Sequence, residues 1–245
     1  GFPMQLPLAR AIVPDLEFME SVDSTNLSLA RKHEQLPDFS VLVAAEQTSG
    51  QGRAGRSWIS ESGASVSASV LLRPQHPQNS SLITFLLAVS AHQGLRTLFP
   101  SLQVAIKWPN DLLIGERKVA GILATLNPDH SVVAGIGINL SVQSAPDNAI
   151  ALSEVASADF DSVLAAVLGK LKTNWTRWQQ SAETDWLLDY LRVNCSTIGS
   201  TVRAELVTGE SIVGKAIGIE QDGRLKVMAE VEHLLAAADV WHLRK

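Results

Sequence analysis

Three glycines and two arginines stand together in Gly50-Gln51-Gly52-Arg53-Ala54-Gly55-Arg56-Ser57-Trp58. The chemistry of that stretch is anion binding. Glycines let backbone N–H groups approach a ligand closely, and successive N–H groups can form a concave nest. Arg53 and Arg56 add planar forks that grip a phosphate or carboxylate with two hydrogen bonds. Two familiar phosphate motifs do not fit. The glycines spell G-x-G-x-x-G, but a dinucleotide fingerprint opens a helix and wants an acidic residue about 20 positions on. Here Trp58 and a Ser/Gly turn lead into a strand, and no Asp or Glu occurs between Glu61 and Asp111. The stretch is also one residue short of a P-loop, with Arg56 where Lys is required and no helix behind it to supply a dipole. Standing alone, the loop has a lesser alternative as a surface turn with solvated arginines.

A second cluster stands beside it. Lys107-Trp108-Pro109-Asn110-Asp111 is followed by Lys118-Val119-Ala120-Gly121-Ile122-Leu123. Trp108-Pro109 at a strand's end makes a rigid corner, because proline has no N–H to continue a ladder. A hairpin returning through Leu112 to Arg117 brings Lys118 back beside Asp111. Such a pair is either a structural ion pair or part of a site. Gly121, inside a strand, marks close approach of a ligand or another backbone.

The elements that position these groups follow from periodicity. Residues 16–33 read as an extended segment, a polar Asp23-Ser24-Thr25-Asn26 corner and a short helix capped by Ser24 or Thr25. Residues 41–45 form a buried strand. Val66, Ala68 and Val70 alternate with serines in a half-buried strand over 65–72. Residues 80–99 form a buried helix starting from Ser80 or Ser81. Strands are expected at 104–108, 119–126 and 131–140. Val163, Leu164, Val167, Leu168, Leu171, Trp175 and Trp178 recur at helical spacing, and 186–191 continues that helix. From about Ser196 the texture turns to short β-rich runs. The expected architecture is α+β: a mixed β-sheet catalytic domain over 1–194, then a small C-terminal SH3-like β-barrel over 195–245.

Composition bounds the rest. The chain has 245 residues, 46% hydrophobic, with 20 Lys plus Arg against 25 Asp plus Glu, for a formal charge of −5. It is large enough to bury a core without staples, and a protein that coats nucleic acid would be basic. The single cysteine, Cys195, excludes a disulfide framework, a Cys-based zinc site and an iron–sulfur cluster. Together with the lack of a bilayer-spanning apolar run or a signal-peptide pattern, this predicts a cytoplasmic protein with no membrane partner.

Several motifs in order make the chain recognisable: Glu46-Gln47-Thr48-Ser49-Gly50-Gln51-Gly52-Arg53-x-Gly55-Arg56-x-Trp58, Lys107-Trp108-Pro109-Asn110-Asp111, Lys118-x-Ala120-Gly121-Ile122-Leu123 and Gly135-Ile136-Gly137-Ile138-Asn139. With Ser24-Thr25-Asn26 and the closing Ala238-Asp239-Val240-Trp241-His242-Leu243, the chain strongly resembles the biotin–protein ligases over essentially its whole length. Some members carry an N-terminal helix-turn-helix domain. Only about twenty residues precede the Ser24 corner here, so the expectation is the monofunctional type without direct DNA binding.

The resemblance implies a two-step ligase reaction. The biotin carboxylate attacks the α-phosphorus of ATP to give biotinyl-5′-AMP, and a lysine of the biotin carboxyl carrier protein then takes the biotinyl group. It implies Lys118, Arg53 and Asp111 as catalytic residues. Ser24, Thr25, Asn26, Gln47, Gly50, Gln51 and Gly121 would bind biotin; Gly52, Arg53, Gly55, Arg56, Trp58, Asn110 and Asn139 would bind the nucleotide. Asp111 would orient the incoming amine more than deprotonate it, since a carboxylate is a weak base. Mg²⁺ would arrive on the ATP phosphates; the six histidines show no ligand spacing, and no protein metal site is assigned. Gln51 departs from the family's usual Arg, and that removes one charge from the loop. A monomer or a homodimer would serve equally. The alternatives are a lipoate–protein ligase and a non-catalytic sensor of biotin or its adenylate. The octanoyltransferases of the same fold need a cysteine near the lysine, whereas Cys195 lies far down the chain from Lys118.

Overall fold

The computed structural model describes residues 4–56, 61–141 and 148–244. Seven strands, β1 Glu17–Val22, β2 Ser40–Gln47, β3 Ser65–Leu72, β4 Val104–Lys107, β5 Asp111–Ile114, β6 Arg117–Leu126 and β7 Val132–Asn139, form one sheet. Their order is β1-β2-β3-β7-β6-β5-β4. β1 and β2 run parallel, and the remaining neighbours are antiparallel.

The period-2 alternation of β7 explains the two faces of this sheet. Val132, Ala134, Ile136 and Ile138 join the main core, while Val133 on the other face packs with Leu29, Leu42 and Leu71. The main core is covered by helices α3 Ile83–Leu98 and α4 Phe160–Gln180, with α5 Asp185–Asn194 beyond them. All seven apolar positions picked out by helical spacing in α4 are buried. Fully burying a leucine such as Leu164 or Leu168 contributes roughly 1.5–3 kcal/mol. The α3–α4 crossing is close because Gly94 has no side chain: a Cβ there would lie 2.8 Å from the Ala166 backbone. Helix α1 Pro7–Ile12 was not legible as an apolar period; it is capped by Asp161, whose carboxylate accepts from the N–H groups of Leu8 and Ala9, each at 2.9 Å. On the opposite face, helix α2 Thr25–Arg31 is capped by Ser24, whose hydroxyl accepts from Leu27 N–H.

Four further elements differ from the sequence reading. The long helix begins at Ile83 rather than at Ser80 or Ser81, because Pro77–Leu82 forms a tighter 3₁₀ turn tied to the Ala182 carbonyl by Asn79. β3 is buried on both faces, serines included, because it is an interior strand and α2 lies on the face the serines occupy. The return after Pro109 contains a strand of its own, β5, too short to show a period. Residues 186–191 belong to the separate helix α5, the chain breaking from helix after Gln180.

The C-terminal strands β8 Thr201–Leu206, β9 Ser211–Ile219, β10 Leu225–Met228, β11 Glu232–Leu235 and β12 Ala238–Arg244 form a second, antiparallel sheet. Its order is β11-β10-β9-β8-β12. Only Ala236 and Ala237 separate the two edge strands, a link that reaches about 10 Å. The sheet therefore curls until its edges meet at that corner, although no ladder joins β11 to β12 among the described residues. The expected barrel is thus a curled five-stranded sheet without a closed hydrogen-bond cylinder. It is pinned to the first sheet at Trp108, whose indole N–H donates to the Gly223 carbonyl at 2.9 Å and whose backbone N–H donates to Thr197 Oγ1 at 3.0 Å. Among the described residues, no helix is long and apolar enough to cross a membrane.

Candidate active site

Directly paired residues in a sheet project to the same face. One such row crosses the larger sheet: Ser67 pairs with Gly137, Gly137 with Gly121, Gly121 with Asp111, and Asp111 with Lys107. Two glycines in the middle of this row, with Gly135 two residues along β7, strip the face of side chains. The result is a trough with a backbone floor and charged groups at one end. It is part of a cavity of about 280 Å³.

Lys118 reaches the trough through a bulge. In a regular strand, residues 118 and 121 would point to opposite faces. The register slips by one between Leu112 and Leu113, so that Leu112 pairs with Ala120 but Leu113 pairs with Lys118. The extra residue in β6 turns Lys118 onto the face of Asp111, as bulges near functional sites do. Its ammonium lies 3.0 Å from Asp111 Oδ1.

The other end of the trough is walled by the Ser24 corner. Gln47 Oε1 accepts from both the backbone N–H and the hydroxyl of Thr25, at 2.8 and 3.1 Å. That fixes the amide and leaves its NH₂ end to meet a ligand. The Ser69 hydroxyl is in hydrogen-bond reach of Thr25 Oγ1 and Asn26 Oδ1, and Asn26 Nδ2 donates to the Leu123 carbonyl at 3.1 Å. Asn26 lies directly over Gly135, where a Cβ would sit 2.0 Å from Asn26 Oδ1.

The glycine loop closes over the cationic end. It leaves β2 beside the Ser24 corner, with Ser49 N–H donating to the Asp23 carbonyl at 2.7 Å. Gly55 has φ +73°, a left-handed conformation that suits glycine. The loop is less of a nest than its composition suggests: Gly52 N–H is spent on the Arg56 carbonyl and Arg56 N–H on the Arg53 carbonyl. Its arginines are held by the second sheet. Arg53 Nη2 donates to the Ala238 carbonyl at 2.7 Å and to Asp239 Oδ1 at 2.8 Å, and Arg56 Nη2 donates to Asp239 Oδ2. The hydrogen bond from Arg56, with the charges of both arginines, holds the Asp239 carboxyl below its ordinary value. Among the described residues only Nη2 of Arg53 makes a side-chain hydrogen bond, and Arg53 lines the cavity.

Of the residues singled out from sequence, Ser24, Thr25, Asn26, Gln47, Gln51, Gly52, Arg53, Arg56, Asn110, Asp111, Lys118 and Gly121 line this cavity. Gly50, Gly55 and Asn139 do not line it among the described residues, and Trp58 lies outside them. Asn139 is buried, its Nδ2 donating to the carbonyls of Lys118 and Ile150, each at 3.2 Å. It braces the strand that carries Lys118. Asn110 borders the cavity, but its Nδ2 donates to the Ile122 carbonyl at 2.8 Å. Cys195 is in the main core, its thiol pushed up by burial, away from the trough. Lys107, Gly135, Gly137, Asp239 and Trp241 line the cavity without having been given a role from sequence. The alternating glycines of β7 were a readable signal for a bare strand face; for Asp239 and Trp241 nothing in the sequence showed that β12 returns to the glycine loop.

The model of the biotin/lipoate A/B protein ligase family matches residues 18–142, and that of the biotin protein ligase C-terminal domain matches residues 197–242. A biotin–[acetyl-CoA-carboxylase] ligase of Mycobacterium tuberculosis is 33% identical over 242 residues, covering 94% of this chain and 89% of that protein. The bifunctional ligase/repressor BirA of Bacillus subtilis is 32% identical over 222 residues, 85% of this chain and 67% of that protein. The Aquifex aeolicus biotin protein ligase in complex with biotin and ATP matches with a TM-score of 0.82 at 26% identity, covering 93% of this chain and 98% of that one. With both segments matched in order and the bare trough, the bulge-turned lysine and the strapped glycine loop in one cavity, the chain belongs to the biotin/lipoate A/B protein ligase family.

Proposed function

We propose that this chain is an ATP-dependent biotin–protein ligase, which activates biotin as biotinyl-5′-AMP and transfers it to a lysine of the biotin carboxyl carrier protein of a carboxylase such as acetyl-CoA carboxylase. One observation carries the reading: a trough floored by Gly121, Gly135 and Gly137 runs from fixed polar groups at Thr25, Asn26 and Gln47 to Lys118, Arg53 and Arg56. Biotin has this polarity, with a polar ureido ring on an apolar bicycle and a tail that ends in a carboxylate.

In the first step a carboxylate oxygen forms a bond to the α-phosphorus, and the bond to the bridging oxygen breaks, so that pyrophosphate leaves with the electron pair. Two anions must be brought together and the charge of the transition state absorbed, which fixed cations in a sheltered site do well. Lys118 suits a position between the carboxylate and the α-phosphate, and Asp111 keeps its ammonium aimed there. Arg53 lines the same region, held by Asp239. In the second step the carrier's amine attacks the acyl carbon, AMP leaves, and the amine loses a proton. Asp111 orients that amine, and the closed loop keeps water from the mixed anhydride.

ATP carries its own Mg²⁺. The cavity's carboxylates, Asp111 and Asp239, are already paired with cations, and no group of three His, Cys, Asp or Glu suited to a metal occurs among the described residues. The fit is to an ion held on the nucleotide phosphates rather than to a resident metal. We read residues 1–194 as the catalytic unit and 195–245 as the unit that straps the loop. The buried Cys195 thiol gives no support to acyl transfer through a cysteine.

Incubation with α-³²P-ATP, Mg²⁺ and either biotin or lipoate tests the substrate. Labelled adenylate is expected with biotin alone, and its loss in Lys118→Ala. Adenylation of lipoate instead would overturn the substrate, and no adenylate with either acid would leave a binding protein.

A further inference from the structure

The cavity's cations are not equally engaged. Lys118 is paired with Asp111, and Arg53 and Arg56 with Asp239. Lys107 differs. It follows Asp111 in the row that crosses the trough, at the end of β4, and lines the cavity. Its side chain makes no hydrogen bond or ion pair among the described residues. Burial pushes its ammonium below the ordinary lysine value, Asp111 opposes that shift, and Lys118 adds to it. A half-buried ammonium without a partner is costly, unless an anion completes its surroundings.

Position decides which anion. Neighbouring strands are about 4.8 Å apart, so Lys107 stands roughly 10 Å from Gly121 and the trough floor, across β5. It is on the far side of Asp111 from the biotin end. The Asp239 carboxylate is near enough to raise its ammonium's proton affinity. A carboxylate seated on the trough meets Lys118 first. The charge further out is that of the departing end of the nucleotide.

We propose that Lys107 binds the β- and γ-phosphates of ATP and the pyrophosphate they become. This rests on the ligase reading and assigns a residue to its leaving group. As the bond from the α-phosphorus to the bridging oxygen breaks, its electron pair and the negative charge pass to pyrophosphate, and no proton moves. Lys107 stays an ammonium throughout and stabilises the charge as it develops. Lys118 serves the carboxylate and the α-phosphate.

The two half-reactions separate this role from a general one. In Lys107→Met, kcat/KM for ATP in adenylate formation should fall about 100-fold, the scale for removing one charge-stabilising donor. Inhibition by pyrophosphate should weaken in parallel. Biotin affinity and transfer from preformed biotinyl-AMP to the carrier, a step without pyrophosphate, should stay at wild-type values. Equal loss in both half-reactions, or unchanged ATP use, would overturn the assignment. Wild-type protein gives a test free of folding effects. Pyrophosphate should slow acetylation of Lys107 by an amine-reactive ester, read by mass spectrometry, and absence of protection overturns the proposal. If wild type forms no adenylate, the ligase reading fails, while protection of Lys107 still reports on the anion site.

Discussion

Asp239 is the one side chain of the second sheet that pairs with both loop arginines among the described residues, and replacing it with Asn tests how the loop works. The substitution keeps the shape and removes the charge. Arg53 and Asp239 are sheltered, with side-chain exposures of 25% and 24%, whereas Arg56 is 59% exposed. The Arg56 contact, open to water, contributes at most about 1 kcal/mol. The Arg53 contact is a sheltered, charge-assisted hydrogen bond of about 1.5–3 kcal/mol, part of which Asn retains. A net loss of about 1–2 kcal/mol follows. It falls on loop order, which adenylate formation needs, and corresponds to a 5- to 30-fold decrease in kcat/KM for ATP. The global cost is small: each kcal/mol lowers Tm by about 2–4 °C in a chain of this size. ATP–pyrophosphate exchange is the assay, on Asp239→Asn, Arg53→Met and the double variant. If Asp239 acts through Arg53, the double variant is no slower than Arg53→Met alone. Losses that multiply, or full activity in Asp239→Asn, would refute the reasoning.

Two further expectations concern the floor of the trough and the core. Gly135→Ala places a Cβ 2.0 Å from Asn26 Oδ1, so Asn26 must swing away from Leu123 and Ser69. One net hydrogen bond is worth about 1 kcal/mol, so biotin affinity by calorimetry should fall roughly fivefold, and an unchanged affinity would show that Asn26 is not part of the biotin wall. His92 Nε2 lies 2.6 Å from the Val104 carbonyl and Nδ1 lies 2.7 Å from the Tyr190 hydroxyl. A carbonyl only accepts, so Nε2 carries a proton; in the neutral ring, which burial favours, Nδ1 accepts from the Tyr190 hydroxyl. Burial pushes its folded-state pKa below 6.5, against the opposing pull of the Val104 carbonyl. The unfolded ring therefore takes up a proton first as pH falls below about 6.5, and stability declines there by up to about 1.4 kcal/mol per pH unit. Asp23, Asp129, Asp159 and Asp239, all held below 3.8, stay ionised and do not contribute in that window. Urea unfolding at pH 7.5 and 5.5 should show this decline in wild type and a smaller one in His92→Gln; equal declines would count against the buried neutral ring.

The periodic elements were legible because burial imposes their spacing. Helix α4 could be read from seven apolar positions, and Ser24 could be read as a cap because a hydroxyl ahead of a helix accepts an orphan N–H. β5 was not legible: four residues between two turns carry no period. The serines of β3 looked solvent-facing because alternation tells apolar from polar, but not whether the polar face will be covered.

By itself, the sequence determined the types of group available: a glycine–arginine loop for anions, a Lys–Asp couple after a proline corner, and bare positions at Gly121, Gly135 and Gly137. These follow from covalent chemistry and from the steric demands of single residues. The tertiary structure decided how they meet. Lys118 faces Asp111 only because one residue bulges from β6, a slip that no spacing rule contains. Asp239 reaches Arg53 across most of the chain only because the second sheet is pinned at Trp108 and curls β12 back to the cavity. Lys107 is set apart from Lys118 by a partner, and pairing of that kind is a property of distance between strands rather than of order along the chain.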